Sequence, residues 1–303
     1  MNVLVRCFGM IVFITVLAGL VLLIGELIWY RLPAGTARRP GYGAGRLKRI
    51  ALITGAGSGL GRAYARRIDR RVSRIDEIWL VGRREDRLQE TADLLKKPVR
   101  CLALDLTKPE SITSIRNEIH KEKIRVSFLV NCAGAGRTGL TKALPVREQI
   151  RMIELNCSAV VALTDVCLPY MQEGDHILNV CSSAAFQPLQ RLNVYASTKA
   201  FLLRYTRALR HELLPDKIMV TAVCPYWIKD TEFIEKTEEN NKEEIHSYPL
   251  ASMVSSVAAL SLAGCRLGLP VVTPGIVCTV HRIFSGLIPD VVLQYIWEGI
   301  RRL

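Results

Sequence analysis

The stretch Arg49-Ile-Ala-Leu-Ile-Thr54-Gly55-Ala-Gly57-Ser-Gly59-Leu-Gly61 decides the fold of this chain. Its first six residues form an apolar run typical of a buried strand, and a helical pattern begins at Arg62. Glycines between a strand and a helix permit a tight turn and a close approach of backbone to a pyrophosphate, which the helix N-terminus attracts. The spacing T-G-x-x-x-G-x-G therefore predicts a nucleotide-binding turn.

Further apolar runs alternate with helical patterns along the chain. Strands are predicted at 77–81, 99–104, 126–130, 176–181 and 270–274, and helices at 85–95, 109–121, about 146–171, 194–213 and 254–262. Such alternation favours a parallel sheet covered by helices on both faces. The predicted fold class is α/β, a Rossmann-type doubly wound parallel sheet in a single domain over residues 48–274.

A second stretch, from Ser182 to Lys199, carries candidate chemistry. Ser182 follows a predicted strand, and open α/β sheets bind ligands at the carboxyl ends of their strands. Tyr195 and Lys199 lie four residues apart on a predicted helix, so their side chains share one face. A cation beside a phenol stabilises the phenolate and lowers its pKa from about 10. Such pairs are common on surface helices, but a hydroxyl upstream favours a proton-transfer site here.

The end of the second predicted strand bears on the choice of nucleotide. It reads Gly82-Arg83-Arg84, without an acidic residue. An acidic side chain there binds the ribose hydroxyl of NAD, whereas Arg accommodates the 2′-phosphate of NADP. The sequence therefore predicts that Arg83 contacts a phosphate and that NADP(H) is preferred over NAD(H). A solvated basic face is the alternative, because arginines are abundant on this predicted surface.

The first 47 residues differ in composition from the rest. The nineteen residues from Cys7 to Gly25 are uncharged, which is long enough to cross a bilayer, and Trp29 and Tyr30 follow where interfacial aromatic residues occur. Basic residues are more numerous after this stretch than before it, which places the main body in the cytoplasm by the positive-inside rule. We predict a membrane anchor at 1–31 and a basic linker at 32–47. A cleaved signal peptide is the competing interpretation.

Composition excludes several classes of function. The 303 residues contain 41 Lys and Arg against 28 Asp and Glu, a formal net charge of +13. No zinc-finger, RNA-recognition or basic-zipper pattern accompanies this charge, so no nucleic-acid partner is predicted. The nine cysteines show neither metal-ligand spacing nor CxxC pairs, so neither a metal site nor a disulfide framework is predicted.

These motifs together resemble the short-chain dehydrogenase/reductase family. The resemblance covers residues 48–274 and rests on Thr54–Gly61, Asp105-Leu106, Asn131–Gly134, Asn156, Ser182, Tyr195 and Lys199. It implies that Tyr195 is the general acid in reduction and the base in oxidation. Lys199 would bind the nicotinamide ribose and lower the pKa of Tyr195. Ser182, with Ser183 as the fallback, would hold the substrate carbonyl, and Asn156 would complete a water-linked proton relay.

The resemblance also implies a cofactor site and partners. Asp105 would face the adenine, Asn131 would brace the sheet, and Thr231 would contact the carboxamide. The implied cofactor residues are Gly55, Ser58, Gly59, Leu60, Gly61, Arg83, Asp105, Leu106, Asn131, Ala133, Gly134, Tyr195, Lys199, Pro225, Ile228 and Thr231. The anchor is similar to that of membrane-bound hydroxysteroid dehydrogenases and ketoacyl reductases, so a steroid-like ketone is the first candidate substrate and a long-chain ketoacyl or sphingoid lipid the second. A homodimer or homotetramer is expected, through helices around Asn156 and Tyr195.

Some features leave alternatives open. Cys132 replaces a usual Asn, and Pro225-Tyr226-Trp227 replaces a usual Pro-Gly, so these aromatics could wall a substrate slot or pack as core. Residues 232–244 could form part of a lid or a solvated helix. The apolar C-terminal extension, 275–303, could lie on a membrane, cap the substrate pocket or dock as core. The rival functions are a catalytically silent nucleotide-binding redox sensor and a structural membrane protein.

Overall fold

The structure is a computed structural model that describes residues 47–238 and 250–302. The predicted anchor at 1–31 and all of the predicted linker except residue 47 lie outside the described residues. The part of the predicted lid from residue 239 onward lies outside them as well. What the sequence indicates for these segments therefore stays a prediction.

Seven parallel strands form one sheet in the described part of the chain. They are β1 (Lys48–Thr54), β2 (Glu77–Gly82), β3 (Val99–Ala103), β4 (Ile124–Asn131), β5 (His176–Val180), β6 (Met219–Val223) and β7 (Val271–Val272). Their order is β3-β2-β1-β4-β5-β6-β7. This confirms the predicted single α/β domain with a Rossmann-type sheet. The last strand is shorter than the predicted 270–274.

The helices cover both faces of this sheet. They are α1 (Gly59–Arg71), α2 (Glu85–Ala92), α3 (Pro109–Lys121), α4 (Val146–Ile153), α5 (Ala159–Cys167), α6 (Asn193–Glu212), α7 (Phe233–Glu238), α8 (Val254–Arg266), α9 (Ile276–Ser285) and α10 (Asp290–Arg302). Short 3₁₀ turns occur at Leu168–Tyr170 and Ser183–Phe186. The second helix ends at Ala92, earlier than the predicted residue 95.

Burial on both faces explains why β1 is apolar throughout. Ala51 and Ile53 pack into a core with α1 and α8, whereas Ile50 and Leu52 pack into a second core with α3 and α5. Successive side chains of a strand point to opposite faces, so a strand covered on both sides must be apolar at every position. All four side chains are fully buried.

The predicted long helix at 146–171 is interrupted in the middle. A π-helical turn at Glu154–Ser158 separates α4 from α5. The run Val146–Tyr170 is the one described helix whose length and apolar composition would suffice to cross a membrane, but half of its most apolar window is buried within the protein. Leu163 and Cys167 are fully buried in the core against the sheet. This is a core helix of the domain.

The sheet order places a crevice between β1 and β4. The chain runs outward from β1 to β2 and β3, and then returns to the other side of β1 at β4. The helices α1 and α5 that follow β1 and β4 consequently pack on opposite faces of the sheet, which opens the crevice in which doubly wound sheets bind ligands.

The C-terminal extension folds into two helices separated at Pro289. The indole Nε1 of Trp297 on α10 donates to the carbonyl of Gln190 at 3.1 Å, and Gln190 Nε2 donates to the carbonyl of Gln294 at 3.0 Å. On α9, His281 Nε2 lies 2.7 Å from Gln187 Oε1. The extension thus docks on the loop between β5 and α6.

Close packing of α8 on β7 leads to a stability prediction. A Cβ on Gly264 would lie 2.4 Å from Cγ2 of Val272, a stiff β-branched side chain, whereas a Cβ on Gly299 would meet nothing within 4 Å. We expect Gly264→Ala to lower the free energy of unfolding by about 1–3 kcal/mol through overpacking. Gly299→Ala, the matched control in α10, should raise it by about 0.5–1 kcal/mol. Denaturant unfolding measures both, and equal midpoints would contradict the packing described.

Candidate active site

The glycine turn after β1 is held by contacts that exclude a side chain. Gly55 has φ +65°, and a Cβ there would lie 2.9 Å from the Cα of Ala133. A Cβ on Gly61 would lie 2.2 Å from the carbonyl oxygen of Gly55. Only glycine fits these two positions, because the turn folds tightly on itself and against the end of β4.

Thr54 fastens this turn to the neighbouring strand. Its Oγ1 accepts hydrogen bonds from the backbone N–H groups of Cys132 and Ala133, both at 2.9 Å. Thr54 is 2% exposed, and its hydroxyl also lies 3.4 Å from the carbonyl of Val130. One side chain therefore connects the carboxyl ends of β1 and β4, which form the crevice. Thr54 is part of the predicted glycine motif, but the motif did not predict this role.

The start of α1 provides an anion site next to the turn. Ser58 is its N-cap residue and has extended backbone angles, but its side chain does not cap the helix. The first N–H groups of a helix have no partner within it, and the helix dipole favours a negative group there. The neighbouring glycine turn has no side chains that would block this helix end. The turn and the helix N-terminus together fit the pyrophosphate of a dinucleotide.

Three arginines lie where β2 ends. Arg83, Arg84 and Arg87 all line the cavity described below. Arg84 pairs with Glu232 at 3.3 Å, and Arg87 pairs with Glu90 at 3.2 Å. Arg83 is exposed at the position predicted to meet a 2′-phosphate. Because Arg84 and Arg87 have carboxylate partners, Arg83 is the candidate of the three for a bound phosphate.

Asp105 follows β3, which pairs with β2, and it lines the same cavity. Its Oδ1 accepts from the backbone and side chain of Thr107 at 3.1 and 2.8 Å, and its Oδ2 accepts from Arg151 at 2.8 Å. Burial opposes ionisation, but the hydrogen bonds and the charges of Arg151 and Arg83 outweigh it and hold the pKa of Asp105 below its usual range. Its carboxylate is thus fixed in the wall predicted to face the adenine.

Ser182 and Tyr195 meet at the end of β5. Ser182 has extended backbone and precedes a 3₁₀ turn, and its Oγ accepts from the N–H of Ala184 at 3.1 Å. Tyr195 lies in the first turn of α6 and is 7% exposed, and its phenol lies beside the Ser182 hydroxyl, which lowers its pKa. Ser183, the fallback, is buried, and its N–H donates to Pro225 at 2.9 Å. The structure pairs Tyr195 with Ser182.

The pKa of Tyr195 differs from the sequence-based expectation. Burial raises it to about 12, and the neighbouring Ser182 hydroxyl lowers it only partly. The Nζ of Lys199 lies 5.7 Å from the centre of the Tyr195 ring and donates to the carbonyl of Val180 at 2.8 Å. Trp297 and Phe233 pack in the same buried cluster as the ring. The phenol is therefore protonated at neutral pH.

Lys199 is itself buried beside the cavity. Burial lowers its pKa from the usual value. A Cβ on Gly134 would lie 3.4 Å from its Nζ, within van der Waals contact, so the loop after β4 packs directly beside the ammonium group. The loop after β4 and the helix α6 are thereby brought together.

Two predicted asparagines lie behind the cavity instead of lining it. Asn156, in the π turn, is fully buried; its Oδ1 accepts from the N–H of Ala135, and its Nδ2 donates to the carbonyl of Ala135 and to Thr198 Oγ1, at 2.9–3.0 Å. Asn131 donates to Asn179 Oδ1 on β5 at 2.8 Å. Asn156 holds the loop after β4 against α6, between Tyr195 and Lys199, and Asn131 ties β4 to β5.

The segment after β6 closes over the glycine turn. Thr231 packs against Gly59, where a Cβ would lie 3.3 Å from the Thr231 methyl group. Thr231 Oγ1 donates to the carbonyl of Ile228 at 3.0 Å. Tyr226 and Trp227 both line the cavity, although Trp227 also packs against the cluster around Tyr195. The aromatic pair forms part of the wall, one of the two alternatives that the sequence left open.

All these groups surround one cavity of about 830 Å³. Every predicted catalytic and cofactor residue lines it except Asn131 and Asn156. Its far wall is formed by residues that sequence reasoning did not assign, on α9, α10 and the segment between them: Ile276, Val277, Val280, His281, Phe284, Ile288, Leu293, Ile296, Trp297 and Ile300. The C-terminal extension therefore caps the pocket, as one of its three interpretations proposed.

Comparison with known proteins gives a consistent result. The family model described as short chain dehydrogenase matches residues 49–242. The chain is 36% identical over 193 residues to sulfoacetaldehyde reductase 2 of Chromohalobacter salexigens, which covers 61% of this chain and 74% of the reductase. It is 33% identical over 188 residues to the NADP-dependent 3-hydroxy acid dehydrogenase of Escherichia coli, which covers 61% of this chain and 74% of that enzyme.

A solved structure also matches the fold. The short-chain dehydrogenase from Sphingobium yanoikuyae in complex with NADPH superposes with a TM-score of 0.67 and 27% identity, over 80% of this chain and 94% of that one. Relatives of this kind are named reductases and dehydrogenases. They argue against the alternative of a catalytically silent sensor and against that of a purely structural membrane protein.

The double hydrogen bond at Thr54 can be tested by two substitutions. Thr54→Val keeps the shape but leaves the N–H groups of Cys132 and Ala133 without their acceptor, which should lower the free energy of unfolding by about 2 kcal/mol. It should also weaken NADPH binding, because the glycine turn loses its attachment. Thr54→Ser keeps the acceptor and serves as the control. Denaturant unfolding and fluorescence titration measure both, and indistinguishable Val and Ser variants would refute the role.

Proposed function

Because this chain belongs to the short-chain dehydrogenase family of NAD(P)-dependent oxidoreductases, we propose that it interconverts a hydrophobic ketone and its secondary alcohol with NADP(H). The observation that carries the proposal is that Ser182 and the buried phenol of Tyr195 lie side by side in one cavity with the glycine turn and an apolar wall. A proton donor, a nucleotide cradle and an apolar substrate wall meet in one cavity.

Tyr195, Ser182 and Asn156 have different roles in the proposed reaction. Tyr195 is protonated at neutral pH, so its phenol donates a proton to the carbonyl oxygen during reduction. The Ser182 hydroxyl holds the same oxygen by a hydrogen bond and so orients the carbonyl against the phenol. In oxidation the phenolate form of Tyr195 accepts the alcohol proton. Asn156 fixes the turn of α6 that bears both Tyr195 and Lys199, through its bond to Thr198.

The cofactor site has the features that a dinucleotide requires. Gly55, Gly59 and Gly61 with the N-terminus of α1 would hold the pyrophosphate, and Arg83 the 2′-phosphate. Asp105 and Leu106 would flank the adenine. Lys199 and Thr231 would hold the nicotinamide end together with Ala133, Gly134, Pro225 and Ile228. When bound, the nicotinamide supplies or accepts the hydride.

The apolar far wall supports a bulky hydrophobic substrate. Beyond Tyr195 the cavity is bounded by Trp227, Phe284 and Trp297 and by aliphatic side chains of α9 and α10. Two relatives are named for sulfoacetaldehyde and 3-hydroxy acids, which are anionic, whereas the far wall contains no Lys or Arg among the residues that the structure describes. A steroid-like ketone is our first candidate and a long-chain ketoacyl or sphingoid ketone the second.

Membrane attachment and self-association complete the proposal. The uncharged stretch Cys7–Gly25 supports a single-pass anchor with the catalytic domain facing the cytoplasm.

Exposed apolar side chains on α4 and α6, namely Val146, Ile150, Ile153 and Phe201, support a homodimer or homotetramer through this face. We refer to these residues as the α4–α6 face.

Replacement of Tyr195 tests the reaction. With a panel of steroid ketones, ketoacyl thioesters and small aromatic ketones, we expect Tyr195→Phe to lower kcat by roughly 10²–10⁴ and to leave NADPH affinity unchanged. Tyr205→Phe, further along α6 and outside the cavity, is the matched control. Because the pKa of Tyr195 lies at about 12, alcohol oxidation should rise with pH through the alkaline range, whereas ketone reduction should not need the phenolate.

The pH profile and the panel together separate the outcomes. The alkaline rise should disappear in Tyr195→Phe and persist in Tyr205→Phe. Cofactor binding without turnover of any ketone would refute the proposed reaction. Turnover confined to small anionic substrates would refute the substrate class and keep the chemistry.

Replacement of Arg83 tests the cofactor preference. A charge-assisted hydrogen bond to phosphate contributes about 1.5–3 kcal/mol, so Arg83→Ala should weaken NADPH binding roughly ten- to a hundredfold and leave NADH binding unchanged. Arg66→Ala, an exposed arginine on α1 outside the cavity, is the control. Fluorescence titration gives all the dissociation constants. Equal losses of affinity for NADPH and NADH would show that Arg83 does not bind the 2′-phosphate.

A further inference from the structure

The two C-terminal helices carry an extended apolar surface that faces solvent. On α9 the exposed side chains recur at helical spacing, and the same pattern continues on α10. The exposed apolar residues of this region are Ile276, Val280, Ile283, Phe284, Leu287, Val291, Val292, Tyr295, Ile296 and Ile300. Ile276 is 83% exposed and Tyr295 77%. We call residues 276–300 with these side chains the C-terminal apolar surface.

Part of this surface also lines the cavity. Ile276, Val280, Phe284, Ile296 and Ile300 are lining residues that remain 44–83% exposed. The apolar side chains of α9 and α10 therefore continue from the cavity lining onto the exposed surface. Apolar molecules bound to this surface would lie directly beside the site.

We propose that the C-terminal apolar surface lies in the interfacial region of an anionic lipid bilayer and that hydrophobic substrate enters the cavity from the lipid through it. This rests on the proposed hydrophobic substrate. Helices of this kind, apolar on one side and polar on the other, lie in the plane of a bilayer with their apolar side buried among the acyl chains.

The charge and length of the chain favour lipid as the occupant. The chain has a net charge of +13, which anionic lipid attracts, and the exposed Arg282 and Arg302 are on α9 and α10 themselves. The residues from Glu26 to Leu47 connect the uncharged stretch to β1. Fully extended, they reach roughly 70 Å, enough to let any side of the domain face the bilayer that holds the anchor.

A second copy of the chain is the competing occupant, and another surface is available for it. The α4–α6 face is apolar in its own right, although α6 and α10 border a common groove, in which Ala200 lies with Val291 and Tyr295. Self-association through the α4–α6 face does not use the exposed apolar side chains of α9. Contact between copies at α9 and α10 is accordingly an outcome of the test.

Lipid quenching measures the contact directly. A fluorophore on Ile283→Cys in the full chain, reconstituted in phosphatidylcholine–phosphatidylglycerol vesicles, should be quenched by spin-labelled acyl chains. The same fluorophore on Arg116→Cys, on the exposed side of α3, should not be quenched, although this variant carries the same predicted anchor. The unsubstituted chain, labelled in parallel, gives the background from native cysteines. Equal quenching at the two positions would overturn the proposal, as would self-quenching between copies at position 283 without lipid quenching.

A kinetic experiment separates this proposal from the proposed function. Ile283 and Tyr295 do not line the cavity, so the double variant Ile283→Glu, Tyr295→Glu should retain kcat and its KM for a water-soluble aromatic ketone. Its KM for a ketone partitioned into the vesicles should rise roughly tenfold or more. Arg116→Glu controls for added negative charge. An unchanged KM for the partitioned ketone would refute entry of substrate from the lipid. Absence of turnover of any ketone by the unsubstituted chain would instead refute the proposed function.

Discussion

The contact between the backbones of Gly55 and Ala133 is the constraint on which the rest of the site depends. Two strand ends approach so closely there that a methyl group would not fit, and the Thr54 hydroxyl holds them together. The same loop continues to Gly134, which packs beside Lys199, and to Ala135, which Asn156 binds. Nucleotide cradle and proton-transfer residues are thus positioned by one backbone contact.

Burial governs the electrostatics of the site. Tyr195 and Lys199 are both removed from water, and burial favours the neutral form of each, so the pKa of the phenol rises while that of the ammonium falls. A protonated phenol suits donation to a carbonyl. Part of this burial comes from Trp297, at the other end of the chain, which packs in the cluster around Tyr195. The C-terminal extension therefore contributes to the burial that raises the pKa of Tyr195, as well as to the cavity wall.

Local patterns predicted the sheet and most of the site, because strand runs, glycine spacing and the Tyr195–Lys199 interval are properties of neighbouring residues. The π turn around Asn156 was not predicted, since its residues fit an uninterrupted helical pattern. The elevated pKa of Tyr195 was missed because it depends on burial by distant residues. Docking of α10 depends on the bond from Trp297 to Gln190, 107 residues apart in the chain. No local pattern reports such a contact.

The position of the cavity wall has a consequence for how this protein can diverge or be redesigned. The residues that match the short chain dehydrogenase family end at 242, whereas the far wall begins at Ile276. The predicted catalytic residues therefore all lie in the part of the chain that matches the family, whereas much of the apolar cavity wall lies outside it. Exchange of the last two helices between homologues could alter which molecules are accepted while the hydride-transfer chemistry is inherited unchanged, provided that the aromatic contact to the loop after β5 is retained.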